Sequence, residues 1–170
     1  MTLIQGEKNM KTKVKPIPEG YHSITLSVTF KDSLKAIKFY KKAFGAKELD
    51  VFPSPDGKGT MHATMKIGDS IMMMGDERPD QNCKSAESLG STPVSFYIYV
   101  PNVDEVFQKA VDAGATITMP LDDMFWGDRC GSLKDSFGYT WMVATHTRDL
   151  NRDEVREGAE SFFAVMASKP

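Results

Sequence analysis

Apolar and hydroxyl-bearing side chains alternate along "YHSITLSVTF" (21–30): Ile24, Leu26 and Val28 fall on one parity, Ser23, Thr25 and Ser27 on the other. A period of two rich in β-branched residues predicts a strand with one face packed under helices, here the Ile24, Leu26 and Val28 face. The period then changes. Over 32–46 the positions Leu34, Ile37, Tyr40, Lys41 and Phe44 recur at helical spacing, with only Lys41 polar. Asp32 or Ser33 can accept a backbone N–H at the start of this helix, and Gly45 can end it. Strand-like segments follow in "KELDVF", "TMHATMKIG" and "SIMMMGD", with turns at Asp56-Gly57 and Gly68-Asp69. The order over 21–75 is β-α-β-β-β.

The pattern breaks at 76–92, a polar stretch read as a linker, and then starts again. "PVSFYIYV" (93–100) is a strand with Phe96, Ile98 and Val100 packing outward and Ser95, Tyr97 and Tyr99 inward. "NVDEVFQKAVDAGA" (102–115) is a helix ending at Gly114. Two short strands, a turn and "SFGYTWMVATH" complete a second β-α-β-β-β unit over 93–146. "KKAFGA" resembles "QKAVDAGA", and Val28 to Asp32 matches the spacing from Val100 to Asp104. The chain thus reads as two copies of one small unit, neither able to bury a sheet face alone. Residues 1–20 read as an irregular arm. Residues 147–170 read as a helical tail capped by Asn151, with Glu154 in box position and Phe162, Phe163, Val165 and Met166 available for docking.

Composition narrows the partners. A net charge of -2 gives no electrostatic reason to expect nucleic acid. No apolar run is long enough to span a membrane, and the first twenty residues lack a signal-peptide core. The expectation is a cytoplasmic protein with no nucleic-acid or membrane partner, in which Cys83 and Cys130 are free thiols.

The densest chemistry lies in "FWGDRCGSLKDSFGYTW" (125–141). Asp135 to Gly138 has the composition of a turn, with Asp135 bonding its own backbone and Gly138 supplying a positive φ. Trp126 could stack on a planar ligand and Arg129 could clamp an anion, or the two could cover a sheet edge. Asp128 is expected to pair with a nearby arginine or lysine. No nucleophile–base–orienter set is apparent.

Four segments together, "AIKFYKKAFGAKE" (36–48), "PDG" (55–57), "MHATMKIGDSIMM" (61–73) and "FWGDRCGSLKDSFGYTWMVATH" (125–146), resemble the vicinal-oxygen-chelate superfamily. The resemblance is to its PhnB-like branch, near glyoxalases and bleomycin-resistance proteins. It implies an α+β fold, two βαβββ modules forming a curved mixed sheet around a shared cavity, and often a homodimer. It also implies, for enzymes of this kind, a divalent metal held by His, Glu or Gln from the first and last strands of each module. Alignment puts Ser23, Met73, Ser95 and Met142 in those slots, and His22 falls one residue out of register. Serine hydroxyls and thioethers are poor ligands for such metals. We therefore expect no metal and no cofactor.

The same alignment gives a cavity lined by hydroxyls, tyrosines and methionines, with His62, Ser95, Tyr97, Tyr99, Trp126, Arg129 and Met142 as candidate ligand-binding residues. The methionines fill core or mould an adaptable pocket. The reading that follows is a metal-free binding protein for a drug or metabolite. The alternative is a lyase- or isomerase-type enzyme using His62 or an unconventional metal site.

Overall fold

The computed structural model describes residues 14–168. The first thirteen residues of the expected arm lie outside the described part, and 14–20 form neither helix nor strand. The first module comprises β1 (Leu26–Phe30), α1 (Ser33–Phe44), β2 (Lys47–Pro53), β3 (Thr60–Ile67) and β4 (Ser70–Asp76). After a short α2 (Ala86–Leu89), the second comprises β5 (Ser95–Tyr99), α3 (Val103–Asp112), β6 (Thr116–Asp123), β7 (Asp128–Lys134) and β8 (Thr140–His146). Helix α4 (Arg152–Ala167) follows.

Each module forms its own four-stranded mixed sheet, ordered β1-β4-β3-β2 and β5-β8-β7-β6. In each, first and last strands run parallel and the remaining pairs antiparallel. The helices start where side chains satisfy free backbone N–H groups: Asp32 accepts from Lys35 N at 3.0 Å, and Asn102 from Glu105 N at 3.3 Å. These two caps are equivalent positions, and they match Val28 with Ile98. The sequence comparison had matched Val28 with Val100 because both are valine. A shift of two residues leaves strand faces unchanged, so the grouping by face on β5 holds; but Phe96, expected outward, packs in the core under the helices, and Tyr97 and Tyr99, expected inward, stand exposed on the other face.

One apolar cluster unites both modules. It takes Val28, Phe30, Ala63, Met65, Met72 and Met74 from the first sheet and Phe96, Leu133, Trp141 and Val143 from the second. Helices α1 and α3 contribute Ile37, Tyr40, Val103 and Phe107 to the same cluster. Both sheets therefore turn one face to a common core, and their other faces point away from it. Met65, Met72 and Met74 are core filling; Met73 has the opposite parity. Ile24 was expected under the helices but precedes β1 and is 87% exposed. On α1 the buried face runs through Ala36, Phe39, Tyr40 and Ala43, and Leu34 is left exposed. The two alanines let the helix lie close to its sheet.

Polar contacts lock the modules in register. The Tyr139 hydroxyl donates to Thr29 O at 2.7 Å, and the Tyr40 hydroxyl donates to Asp135 at 2.8 Å. Asp135 makes its expected turn, accepting from Phe137 N and Tyr139 N, with Gly138 at φ +92°. The stretch read as a polar linker is partly built in: Ser85 and Ala86 are buried, and Ala86 lies against Gly138. Its small residues fit under the turn, which polarity alone did not reveal. The α4 cap forms a full capping box between Asn151 and Glu154. Phe125 meets the rings of Phe162 and Phe163 at 5.6 and 6.3 Å, yet no α4 residue is buried.

Candidate functional site

Strand β7 is covered on both faces. Arg129, Gly131 and Leu133 face the helices, where a Cβ on Gly131 would come within 2.6 Å of the Phe107 ring. Asp128, Cys130 and Ser132 face the other way. On that outer face Cys130 and Ala144 are buried with Met124 in a second, smaller apolar cluster, and Met119, Trp126 and Met142 pack around it.

Asp128 organises this face. Only 3% exposed, it accepts from four side chains of three segments. Its Oδ2 receives the Tyr97 hydroxyl at 3.1 Å, the Tyr99 hydroxyl at 2.9 Å and Trp126 Nε1 at 3.0 Å. Its Oδ1 meets His146 Nδ1 at 2.8 Å. The arrangement follows from register: His146 pairs directly with Asp128 across β7 and β8, and Tyr97 and Tyr99 lie on one face of β5, beyond β8. A buried carboxylate needs such donors to offset lost hydration.

The electrostatics are coupled. Burial alone would raise the Asp128 carboxyl, but the donors from His146, Tyr99, Tyr97 and Trp126 outweigh it and hold it below the usual value. His146 is shifted upward by its bond to Asp128 and by a second, from Nε2 to the fully exposed Asp149 at 3.0 Å. Burial and the contacts with Tyr99 and Asp128 push the Tyr97 phenol up, and the bond to Asp128 raises Tyr99. Burial raises the Cys130 thiol, which keeps it protonated and a weak nucleophile.

The structure brings together Tyr97, Tyr99, Trp126 and Met142 from the sequence-derived set. Tyr97 and Tyr99 hold their ring centroids 5.1 Å apart and remain 46% and 64% exposed. Ser95 begins β5 and pairs with Thr140, further along the sheet. A groove of about 750 Å³ follows the edge of β5 between the modules, lined by Ser95, Tyr97 and Tyr99, by Phe96, Ile98 and Trp141 from the opposite face of the second sheet, and by Leu26, Ser70 and Met72 of the first module.

Arg129 is not in this group. It sits on the helix-facing side, where its guanidinium bonds Asp104 at 2.7 Å and lies 3.6 Å from Asp123. Asp128 is paired not with arginine or lysine, as expected, but with histidine, tyrosines and tryptophan. The one-residue step between Asp128 and Arg129 puts them on opposite faces. His62 lies on the first sheet, 3.2 Å from Thr64 Oγ1 and with its ring 6.2 Å from Phe52. Sequence reasoning passed over Asp128 and His146 as site residues. The available signal was alternation, because D-x-C-x-S against M-x-A-x-H puts an acid opposite a histidine.

A model of the Glyoxalase/Bleomycin resistance protein/Dioxygenase superfamily matches residues 22–143. The chain belongs to this superfamily. An uncharacterized protein of Mycobacterium tuberculosis is 42% identical over 134 residues, covering 76% of this chain and 78% of its own. Among solved structures, TioX from Micromonospora sp. ML1 aligns with a TM-score of 0.57 at 25% identity, covering 72% of this chain and 97% of TioX. A PhnB protein from Bacillus cereus, described as a putative 3-demethylubiquinone-9 3-methyltransferase, gives a TM-score of 0.58 at 22% identity. That alignment covers 73% of this chain and 99% of the Bacillus protein, and it shows a shared fold.

The superfamily resemblance raises the question of a divalent metal, and the residues present do not fit one. Met73 lies beside Ser27 and Thr64, and Met142 beside Tyr97 and Ser132. Ser23 precedes β1, so it is not a strand position at all. Thioethers and neutral hydroxyls are weak donors to hard or borderline cations. Among the described residues no group of three His, Cys, Asp or Glu side chains is arranged to hold an ion. Nor is any described helix long and apolar enough to cross a membrane.

Proposed function

We propose that this superfamily member is a cytoplasmic binding protein for a small organic drug or metabolite, that it works without a divalent metal, and that it forms a homodimer. The ligand lies on the outer face of the second sheet, against Tyr97, Tyr99, Trp126 and Met142. One observation carries the reading: a single buried carboxylate, Asp128, fixes three aromatic side chains, of which Tyr97 and Tyr99 stay open to solvent and Trp126 is half-buried. Such a platform loses little side-chain entropy when a ligand stacks on it, which favours binding. The adaptable thioether of Met142 and the groove along β5 extend the apolar surface.

A homodimer is consistent with the two outward faces and with the exposed α4 side chains Phe163, Val165 and Met166. The enzyme alternative shifts from His62 to His146, since His146 is the histidine bonded to a buried carboxylate. Both of its nitrogens are already engaged by Asp128 and Asp149, which favours a binding over a proton-transfer role.

Native mass spectrometry with elemental analysis, on protein purified without chelators, tests the reading. The expected result is a dimer without stoichiometric metal and with a co-purifying organic mass. Stoichiometric metal would restore the enzyme reading.

A further inference from the structure

We infer that the molecule taken by the Tyr97–Tyr99–Trp126 face is an organic cation, an alkylammonium or protonated amine on a small apolar body; this rests on the binding role proposed above. The arginine that could have clamped an anion faces the helices and is held by Asp104 and Asp123. The outer face is acidic instead. Asp128 lies beneath the rings, Asp149 stands exposed at one end, and Asp122 pairs beside Cys130. Of the cationic groups nearby, His146 bridges Asp128 and Asp149, and the Arg148 guanidinium is turned to Met124 O, so three carboxylates stand against these two groups. Lys134 lies at the opposite end of β7.

The aromatic geometry points the same way. Both phenol hydroxyls and the indole N–H are turned inward to Asp128, so π faces and apolar edges remain for a ligand. Donation to a carboxylate leaves more electron density on each ring, which strengthens its attraction for a cation. The two tyrosine rings lie in contact, their centroids 5.1 Å apart and their planes inclined at 42°, and their exposed surfaces together give one continuous aromatic patch on which an ammonium group can rest. An anion placed there would meet Asp122, Asp128 and Asp149.

The charge balance makes the site sensitive to pH. The groups facing His146 are Asp128 from β7 and Asp149 from the segment after β8, with Tyr97 and Tyr99 reached through Asp128. As His146 loses its proton the face becomes more negative, and a cation is held more tightly.

The test uses the full chain and two probes of similar size, benzyltrimethylammonium and benzoate, titrated by calorimetry and followed by NMR at about pH 6 and pH 8.5. The cation binds, more tightly at the higher pH. Tyr97→Leu and Tyr99→Leu each weaken it roughly 3- to 30-fold, the range for one cation–π contact. If a leucine variant fails to fold, Asp149→Asn, a change at a fully exposed position, still lowers cation affinity about twofold or more. Benzoate binding in preference to the cation, and lost in the tyrosine variants, overturns the cation assignment while leaving the binding face in place. No binding of either probe, or binding indifferent to both tyrosines, overturns both.

Discussion

The Tyr40 hydroxyl crosses from the first module to donate to Asp135 Oδ2 of the second at 2.8 Å, with both side chains buried. Trp141 Nε1 donates to the same oxygen at 2.9 Å, while Phe137 N and Tyr139 N serve Oδ1. Apolar packing alone would let two sheets slide over their shared helices. This carboxylate accepts from both modules and fixes one arrangement. Tyr40→Phe keeps the ring in its aromatic cluster but removes one donor from a buried acceptor. Such a loss is worth about 1–3 kcal/mol. Urea denaturation should show that decrease with an unchanged m-value. A midpoint equal to the parent's would mean that water replaces the hydroxyl without loss.

A second prediction concerns pH. His146 is raised above its ordinary 6.5 by Asp128 first and Asp149 second. Its stabilising contribution is complete below that value and fades as pH rises through the raised folded-state value. Asp128 is held net below its ordinary 3.8, so its contribution is present above 3.8 and disappears as pH falls through the lowered one. The pair therefore stabilises most between these two ordinary values. Comparing urea midpoints at about pH 6 and pH 9, the parent should lose more stability than His146→Gln. Parallel pH dependence in the two proteins would remove the coupling.

The fold was legible because period and punctuation agreed. Alternation marked β1 and β5, Asp32 and Asn102 marked helix starts, and Gly45, Gly68 and Gly138 marked the turns. Counting in twos grouped Tyr97 with Tyr99 on β5 and Met142 with Ala144 and His146 on β8, and the pairing of Tyr97 with Met142 and of Tyr99 with Ala144 keeps those groups side by side. Arg129 was misplaced because proximity in sequence was read as proximity in space, and in a strand neighbouring residues face apart. Asp128 was missed for a related reason. Its partners come from β5, β8 and the loop before β7, and no local pattern announces a carboxylate shared among strands. Ser23 was set in a strand that begins only at Leu26; just before it the chain turns, with the Thr25 hydroxyl donating back to His22 O at 3.1 Å, and local composition does not mark that turn. The burial of Ser85 and Ala86 depends on the Gly138 turn, which lies some fifty residues away and leaves no mark on the local polarity.

Metal addition gives a third check. A site that bound zinc, manganese or magnesium in the native state would raise stability by about 2.7 kcal/mol at a hundredfold excess over its dissociation constant. The slot residues Ser23, Met73, Ser95 and Met142, two hydroxyls and two thioethers, offer no such affinity. Thermal unfolding with each metal and with a chelator should give coincident midpoints. A reproducible rise with one metal, abolished by the chelator, would require a ligand set other than these four.

The last prediction separates two residues that sequence placed together. Trp126 and Arg129 lie three positions apart, but the indole joins the Asp128 group while the guanidinium is bound to Asp104 on α3. Trp126→Leu removes one donor from a buried carboxylate and one aromatic wall from the face. It should weaken ligand binding and lower stability by about 1–3 kcal/mol. Arg129→Ala breaks a partly exposed ion pair on the other side of the sheet, so its effect on stability should be small and ligand affinity should not change. Measuring each variant with the same ligand, alongside its thermal midpoint, distinguishes a face organised by Asp128 from a rim spread across the whole loop. Equal losses of affinity in both variants would mean that ligand contacts pass around the edge of β7, and the outer face would no longer suffice as the site.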